Sequence, residues 1–493
     1  MIKKILFVFL GLIPVFGSYA QQNMTLYQMH DILQSNSLNP SVASDCRWNI
    51  GFPLLGNISV AAGMPVAYND LTVKNAAANT TANETQYYAT NNSRVMSGDE
   101  LLSLLKNNNL FSANVNVNIL TIGYRSANTY YQFTMNDRVS LALSVNKEPF
   151  ELLFKGNAPF AGQMVEGKFA ASGMFYREYG MNIAHDFGDN FWFGARAKLL
   201  FGRLSVYGPH NIASFYTDPS TYTLTLNSDL LVRGSVPGTM KTDAKGFVTG
   251  FDSNIAIGDL VLNTGNIGGA IDLGFNKTLE NGVKISGSIL NLGIVNWNKN
   301  THALNRRASL NYTGPTPAID SWKDLVDTLK SVVKFSYTKD EAYSQWLSPE
   351  IMFGFSAPVA DYLRLGVTGY GAFNPAGFPW ALTATALTDN ISNFYGAVSY
   401  TVTNNSFVNV GLGLGVKLGA FNLHVITDNI IATFNPLSQK YATVQFGINF
   451  KFGCGENDDS SGKKMGAVPC PSYGGSKSSG AIPCPSSSRR SKR

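Results

Sequence analysis

Charged residues are scarce in this chain. Asp, Glu, Lys and Arg make up 14% of its 493 residues, against about 25% in soluble globular domains. Hydrophobic residues reach 44%, an ordinary share, so the chain also lacks the high apolar content of helical membrane proteins. Strands with one face in lipid and the other in a lumen produce this combination. The net charge of +6 includes a basic C-terminal stretch and two N-terminal lysines, and it does not predict binding to nucleic acid.

Sequence motifs of catalysis and of metal binding are also missing. The five histidines are scattered, without an HExxH arrangement, and there is no Walker A loop and no GxSxG nucleophile motif. The four cysteines have no histidine beside them, which argues against a zinc site. We therefore predict a protein that is not an enzyme and that uses no cofactor and no metal.

Apolar runs long enough for a membrane-spanning helix are absent after the N-terminus. The N-terminus carries two lysines, an apolar run over 5–16 and the small-x-small sequence Ser18-Tyr19-Ala20. This pattern predicts a secretory signal peptide over residues 1–20. Export combined with barrel-type strands predicts the outer membrane of a Gram-negative bacterium, with membrane lipid as the immediate partner.

The chain does contain repeated alternation of apolar and polar residues. Residues 441–452 read YATVQFGINFKF, in which the even-numbered positions are apolar and the odd-numbered positions are mainly polar. Successive side chains of a strand point to opposite sides, so this segment has one apolar and one polar face. In 191–201, Arg196 and Lys198 lie opposite an apolar face, which fits a wet lumen.

About fourteen segments carry this pattern, and an even number is what single-chain bacterial barrels require. The predicted fold is all-β, a closed antiparallel transmembrane β-barrel with strands near 47–61, 112–124, 128–145, 168–185, 191–207, 266–278, 283–297, 348–357, 361–371, 379–388, 392–402, 406–417, 419–427 and 441–452. Short turns and long connections fall on opposite ends, as in barrels with short periplasmic turns and long outer loops. A further strand over 221–235 would change the count, and this alternative stays open.

Two of the long outer loops carry helical patterns. Residues 97–100 form a capping signal ahead of the sequence LLSLLK. Residues 320–333 are amphipathic. Each segment is interpreted either as a lid over the barrel mouth or as a helix packed within its own loop.

The predicted barrel spans residues 46–453 and is preceded by a segment over 21–45. Within that segment, Asn39-Pro40-Ser41 stands shortly before the first strand. It resembles the Asn-Pro-Ala element in the N-terminal hatch of the FadL-type long-chain fatty acid transporters, although Ser41 replaces the Ala. The resemblance implies a FadL-like barrel in which residues 21–45 form an N-terminal plug, with Asn39, Pro40 and Ser41 as the plug element.

A closer resemblance is to a family of Bacteroidota outer-membrane barrels within the same superfamily. The resembling stretches span almost the whole predicted barrel and comprise residues 33–41, 48–60, 121–138, 427–436 and 444–453. The PorV and PorP/SprF proteins of type IX secretion are more distantly similar. This resemblance implies a fold and carries over no binding residue beyond the plug element.

Residues 454–493 have the composition of a disordered tail, rich in Ser, Gly and Pro with a basic end. The predicted topology places the tail in the periplasm. There it either binds a partner or is an appendage without a partner. Because the first and last strands of a closed barrel are neighbours, Cys46 and Cys454 are candidates for a disulfide, which the periplasm allows. Cys470 and Cys484 are left to pair with each other or with a partner.

Two functions are compatible with these observations. The first is passive transport of a hydrophobic or amphipathic small molecule through the plugged barrel, received by apolar residues of the outer loops such as Leu105, Leu110 and Phe111. The alternative is a non-catalytic scaffold for a surface or periplasmic protein, similar to a type IX secretion accessory, suggested by the long loops and the basic tail. An open or ligand-filled lumen favours transport, and a lumen packed with side chains favours the scaffold.

Overall fold

The computed structural model describes residues 23–454, apart from 75–87, 90–92, 96–97, 254, 256–257, 259–263, 313–333, 340, 389–390, 392 and 405. The predicted signal peptide, the amphipathic segment 320–333 and the tail beyond Cys454 lie outside the described residues.

Among the described residues, fourteen antiparallel strands close into one barrel. The first strand, β1, has two parts, and the others follow in chain order: β1 (Cys46–Gly51 and Asn57–Gly63), β2 (Asn108–Ser126), β3 (Thr129–Asn146), β4 (Met164–Asp186), β5 (Phe191–Thr217), β6 (Ile267–Thr278), β7 (Lys284–Trp297), β8 (Glu350–Ala360), β9 (Leu363–Ala372), β10 (Trp380–Thr388), β11 (Phe394–Thr403), β12 (Asn409–Leu418), β13 (Phe421–Thr427) and β14 (Tyr441–Cys454). Each strand pairs with the next, and β14 pairs with both parts of β1, which closes the ring. The predicted fold class and strand number are confirmed.

Alternation along the strands separates an apolar outer face from a polar inner face. On β14, Val444 is 46% exposed whereas the neighbouring Gln445 is fully buried. The same division holds around the ring, where the exposed apolar side chains include Ile50, Ile122, Leu141, Ile183, Leu199, Ile271, Phe353, Val367, Leu382, Val398, Leu414 and Val425. A closed barrel with such a belt has the architecture of outer-membrane proteins. Within the described ranges, no helix is both long and apolar enough to cross a bilayer.

Short turns and long connections lie at opposite ends of the barrel. The short-turn end also carries Cys46 and Cys454, and its turns include residues 127–128, 187–190, 279–283, 361–362 and 419–420. The long-connection end carries the described parts of the segments 64–107, 147–163, 218–266 and 298–349. This division is the one that the sequence predicts.

A small sheet extends β5 beyond the barrel at the long-connection end. The strand Leu224–Ser235 pairs with the outer part of β5 and with the strand Thr301–Tyr312. It is the additional strand that was left open over 221–235. It does not change the strand count of the barrel, because β6 pairs with the part of β5 that belongs to the ring.

The long connections contain short helices. The helical pattern predicted from residue 97 onward corresponds to a helix over Gly98–Leu104, with Asp99 and Glu100 in its first turn. A further helix, Glu148–Lys155, occupies the connection after β3. Leu110 and Phe111 were expected in an outer loop but lie in β2, because Leu110 pairs with Ser144 of β3 and Phe111 with Leu143.

Candidate functional site

Residues 23–44, here called the lumenal segment, lie inside the barrel. They contain a short helix, Met24–Tyr27, and a 3-10 helix, Leu33–Ser37. Most of the segment is buried, and it contacts inward-facing side chains of strands on all sides of the ring. The segment therefore fills much of the space enclosed by the ring.

The start of the lumenal segment is held near the long-connection end. The carboxylate of Asp428, which follows β13, accepts hydrogen bonds from the main-chain N–H groups of Thr25 at 2.8 Å and Met24 at 3.1 Å. These N–H groups have no partner within their own helix turn, so a carboxylate is a favourable cap. The hydroxyls of Thr25 and Ser399 on β11 are 2.7 Å apart.

The middle of the segment contacts strands on several sides of the ring. Gln34 Nε2 donates to Asn449 Oδ1 on β14 at 2.8 Å, and Gln28 Nε2 donates to Thr368 Oγ1 on β9 at 2.9 Å. Ser288 Oγ on β7 donates to the carbonyl oxygen of Leu38 at 2.6 Å. These bonds satisfy polar groups that would otherwise be buried without partners.

His30 lies in the same part of the segment. Its removal from water, together with the positive charges of Lys284 and Arg364, lowers the pKa of His30 to about 3. The imidazole is therefore uncharged at neutral pH, and protonation opposes the position that the segment holds in the barrel.

The predicted plug element packs against the wall where two glycines leave room. Asn39 Nδ2 donates to the carbonyl oxygen of Phe275 on β6 at 3.0 Å, and its Oδ1 accepts from Ser41 Oγ at 2.7 Å. A Cβ atom at Gly194 would overlap the carbonyl of Pro40, and one at Gly274 would overlap Asn39. Backbone and wall therefore approach more closely here than any larger residue allows.

Apolar contacts add to these hydrogen bonds. The segment and the inner wall share one buried cluster, formed by Met24, Leu26, Tyr27, Met29, Ile32 and Leu38 with Leu290, Met352, Tyr370, Ala372, Ala381, Leu387, Ala397 and Ile426. Burying a large apolar side chain stabilises by about 1.5–3 kcal/mol, so the segment is held by packing as well as by polar contacts.

A group of charged side chains, here called the lumenal charge cluster, lies beside the segment on β3 to β8. It contains three cations and three carboxylates, which are Arg138, Glu178, Arg196, Lys198, Asp272 and Glu350. Lys198 Nζ is 2.7 Å from Asp272 Oδ2, and Arg138 Nε is 3.1 Å from Glu178 Oε2. The numbers of opposite charges match, as buried ion pairs require.

The charge cluster also binds the lumenal segment. Arg196 Nη1 lies 3.3 Å from Asp272 Oδ2, while its Nη2 donates to the carbonyl oxygen of Asn36 at 2.7 Å and also to the Asn36 side chain. Asn291 connects the remaining carboxylate, because its Nδ2 donates to Glu350 Oε1 at 3.0 Å and its Oδ1 accepts from Lys198 at 2.8 Å. Charge-assisted bonds of this kind are the stronger ones.

Small cavities follow the inner faces of β2 and β3, from Leu110 to Thr121 along β2. Nearest the long-connection end is a cavity of about 50 Å³ lined by Leu110, Ala142 and Tyr370. Next come cavities of about 40 and 10 Å³, both beside Arg138 and Glu350. The last, of about 30 Å³, is lined in part by Asn118, Thr121, Gln132 and Gln34. Each has room for one to a few water molecules.

Cys46 and Cys454 form a disulfide at the short-turn end, with their Cα atoms 4.1 Å apart. It joins the first and last strands directly beside the end of the lumenal segment. This end of the segment is therefore anchored, while its other contacts are non-covalent.

The charge cluster was only partly predicted. The alternation of 191–201 placed Arg196 and Lys198 on the inner face, and the structure shows them there, but paired with carboxylates and the segment instead of facing free water. Glu178, Asp272 and Glu350 were not singled out, although each lies at an inward position of an alternating strand. Among the described residues, no three side chains of His, Cys, Asp or Glu lie close enough to hold a metal ion.

Solved structures similar to this chain include a hydrocarbon channel and two toluene transporters. One is the TodX deltaS2S3 mutant of a monoaromatic hydrocarbon channel, with 8% identity and a TM-score of 0.39, covering 89% of this chain and 96% of that one. The Ralstonia pickettii toluene transporter TbuX shows 9% identity and a TM-score of 0.39, with 86% and 94% covered. The Pseudomonas putida toluene transporter TodX shows 8% identity and a TM-score of 0.34, covering 88% of this chain and 93% of that one. At these TM-scores the fold rests on the strand pairings described above.

A search of the curated proteins finds no match to this chain. The sequence profile of DUF5723, a family of unknown function, matches residues 40–428. The match runs from the plug element in the lumen to the aspartate that caps the start of the segment, and it covers most of the chain. The chain belongs to the DUF5723 family.

Proposed function

We propose that this protein is an outer-membrane channel for passive transport of a hydrophobic or amphipathic small molecule, with the lumenal segment as its plug. The observation that carries the proposal is the way the lumen is filled. A separate stretch of chain fills it, and this stretch is anchored at one end and held elsewhere by hydrogen bonds and packing. Its displacement would leave a bore through a fourteen-stranded ring, which is wide enough for a solute.

The cavities along β2 and β3 support a path through the barrel. Neighbouring cavities share lining residues: Asn114 and Glu350 line the first three, and Asn116 and Arg138 continue to the last. They outline a route along one wall of the lumen. A small shift of the lumenal segment would join them.

The lining of this route favours an amphipathic solute. At the long-connection end the lining is mixed, with Leu110, Ala142 and Tyr370 beside Ser112 and Asn374. Deeper in the lumen the lining becomes polar, because asparagines of β2 and the charge cluster replace the apolar residues. A molecule with a short apolar part and a polar head matches both regions.

A lumen packed with side chains was the feature expected of a scaffold. In this barrel a separate stretch of chain fills the lumen, and this favours transport. Wall side chains that met at the barrel axis would leave nothing to displace. Here, polar side chains of the wall bind main-chain groups of the lumenal segment, as Asn182 Nδ2 binds the Pro40 carbonyl at 3.1 Å. Such a hydrogen bond can break when the segment moves away from the wall, because water can then form hydrogen bonds with both groups.

The test compares the full chain with a variant that lacks residues 23–44 and retains Cys46, both reconstituted in liposomes. The probe is radiolabelled 1-octanesulfonate, whose permanent charge prevents it from crossing lipid unaided, and sucrose is the polar comparison. Native protein is expected to release octanesulfonate faster than empty liposomes do. The deletion variant is expected to release both solutes rapidly.

A matched control deletes residues 224–235 in the small outer sheet, and it is expected to leave sucrose retained. Folding of each variant is checked by its heat-dependent migration on gels. If the native protein and the deletion variant both leave octanesulfonate inside, the transport function is wrong. In that case, chemical crosslinking in native membranes would test the scaffold alternative.

A further inference from the structure

Two asparagines of β2 border the small cavities on the inner wall. Asn114 and Asn116, here called the amide pair, lie two residues apart on β2, so their side chains point to the same side of the wall. The next residue in this row, Asn118, is buried inside the barrel. Each member of the amide pair lines three of the four cavities. Together they border the whole series.

Asn116 does not hold the lumenal segment, although other amides of the wall do. Asn449 accepts a hydrogen bond from Gln34 at 2.8 Å, and Asn182 donates to the carbonyl oxygen of Pro40 at 3.1 Å. In contrast, the side-chain oxygen of Asn116 is buried and has no hydrogen-bonding partner among the described residues. A buried amide oxygen without a partner is costly. A donor that enters the adjoining cavity would satisfy it.

The charged groups beside the amide pair already have partners. Arg138 Nε is 3.1 Å from Glu178 Oε2, and Lys198 Nζ is 2.7 Å from Asp272 Oδ2. The lumenal charge cluster holds three cations and three carboxylates, so its charges sum to zero. A head group with a net charge would enter this space without a counter-ion, which is costly. The cluster therefore favours a head group without net charge.

Neutral polar side chains provide the hydrogen-bonding capacity of the route. Ser140 and Ser348 line the two cavities nearest the long-connection end, together with Asn114. Amides and hydroxyls can each donate and accept, and the hydroxyl groups of a ligand do the same. The amides of Asn114 and Asn116 are about 6.7 Å apart along the strand, so two hydroxyl groups on one sugar ring can reach both.

We propose that the amide pair recognises the head group of the transported solute, and that this head group is uncharged and carries several hydroxyl groups. A short alkyl glycoside has this chemistry. Its hydroxyl groups exchange hydrogen bonds with Asn114 and Asn116, while its apolar part contacts Leu110 and Ala142. The assignment rests on the transport function proposed above and adds to it the chemical class of the solute.

The experiment measures competition during the release of radiolabelled 1-octanesulfonate from liposomes that contain the full chain. The competitor is butyl β-D-glucoside or 1-butanesulfonate, which share the butyl chain and differ in the head group. Each is present at equal concentration inside and outside the liposomes, so its own permeation does not affect the result. Butyl glucoside is expected to slow the release at about one tenth of the concentration that butanesulfonate requires, the effect of about one net hydrogen bond.

Leucine variants test the amide pair, because leucine has a similar size to asparagine and no hydrogen-bonding group. Asn114→Leu and Asn116→Leu are each expected to require about tenfold more butyl glucoside for the same inhibition. Inhibition by butanesulfonate should not change. Asn227→Leu, which removes an exposed amide from the small outer sheet, is the matched control and should behave as wild type does. Folding is checked by heat-dependent migration on gels.

The outcomes separate the solute class from the channel itself. If wild-type protein releases octanesulfonate and butanesulfonate inhibits as strongly as butyl glucoside, the assignment of the solute is overturned and the channel stands. Unchanged inhibition by butyl glucoside in both folded leucine variants would also overturn it, because the amide pair would then take no part in recognition. If wild-type protein retains octanesulfonate, the channel is wrong and the assignment fails with it.

Discussion

Arg196 Nη2 on β5 lies 2.7 Å from the main-chain oxygen of Asn36 in the lumenal segment. The other terminal nitrogen of the same guanidinium pairs with Asp272 at 3.3 Å. A single side chain therefore connects the charge cluster of the wall to the segment that fills the lumen. Substitution of Arg196 should weaken the attachment of this segment to the wall.

Arg196→Gln is expected to increase the release of sucrose from liposomes about tenfold. The substitution removes charge-assisted bonds to Asn36, and the loss of about 1.4 kcal/mol changes a population tenfold. Lys198 remains to pair with Asp272 at 2.7 Å, so the barrel itself is expected to fold. Arg233→Gln, which breaks a pair with Glu341 in the outer sheet, is the control and should leave release unchanged. Equal release by both variants would contradict the role given to Arg196.

Gly194→Val is expected to displace the plug element from its place. Side-chain atoms at this position overlap the Pro40 carbonyl and the Ser41 nitrogen, and backbone atoms on both sides leave little room to adjust. Sucrose release should rise, and chymotrypsin, which cleaves after residues such as Tyr27 and Leu33, should cut within residues 23–44 of the reconstituted protein. Gly369→Val adds the same side chain to open space on the outer face and should do neither. A protected lumenal segment in Gly194→Val would show that the glycine is not needed for its seating.

A disulfide engineered between Thr25 and Ser399 is expected to lock the start of the lumenal segment to β11. The two hydroxyl oxygens are 2.7 Å apart, so cysteines at both positions bring their sulfur atoms within bonding reach. Oxidised Thr25→Cys/Ser399→Cys should release octanesulfonate no faster than empty liposomes do. Each single cysteine variant should transport normally, and reduction of the double variant should restore the rate of reduced wild type. Undiminished transport by the crosslinked protein would mean that the start of the segment does not move.

Acid is expected to loosen the segment through His30. The pKa of about 3 in the barrel lies below the ordinary value of about 6.5 that a displaced, hydrated imidazole would have. The depressed pKa means that the contribution of His30 is fully present above pH 6.5 and is lost as the pH falls toward 3. Displacement should therefore rise up to about tenfold per pH unit below 6.5. Sucrose release between pH 7.5 and 4.5 measures it, and His30→Gln should flatten the profile. An equally steep profile in that variant would assign the effect to other groups.

Most of the barrel could be predicted because membrane strands repeat a two-residue period. The prediction 283–297 compares with Lys284–Trp297 for β7, and 441–452 compares with Tyr441–Cys454 for β14. The prediction was poorest at β5, expected to end at 207 and found to continue to Thr217. This part of β5 lies beyond the apolar band and pairs with a strand of the outer sheet. Its two faces are not divided between lipid and lumen, so its sequence need not alternate between apolar and polar residues.

The candidate site was harder to predict than the fold, because a period of two indicates which way a side chain points but not which side chain it meets. Arg196 and Lys198 could be placed on the inner face. Their partner Asp272 is more than seventy residues away along the chain and meets them through the register of β5 with β6. The binding of Asn36 depends in addition on how the lumenal segment folds inside the ring, which alternation does not encode.

The disulfide between Cys46 and Cys454 has a consequence for cleavage by proteases. It joins two residues 408 positions apart, so the chain between them is a covalent ring. A protease that cuts once in any of the connections at the long-connection end, where outer loops are most accessible, opens the ring without releasing a fragment. Two cuts are needed before a piece can leave. On a non-reducing gel, the singly nicked protein therefore remains one molecule.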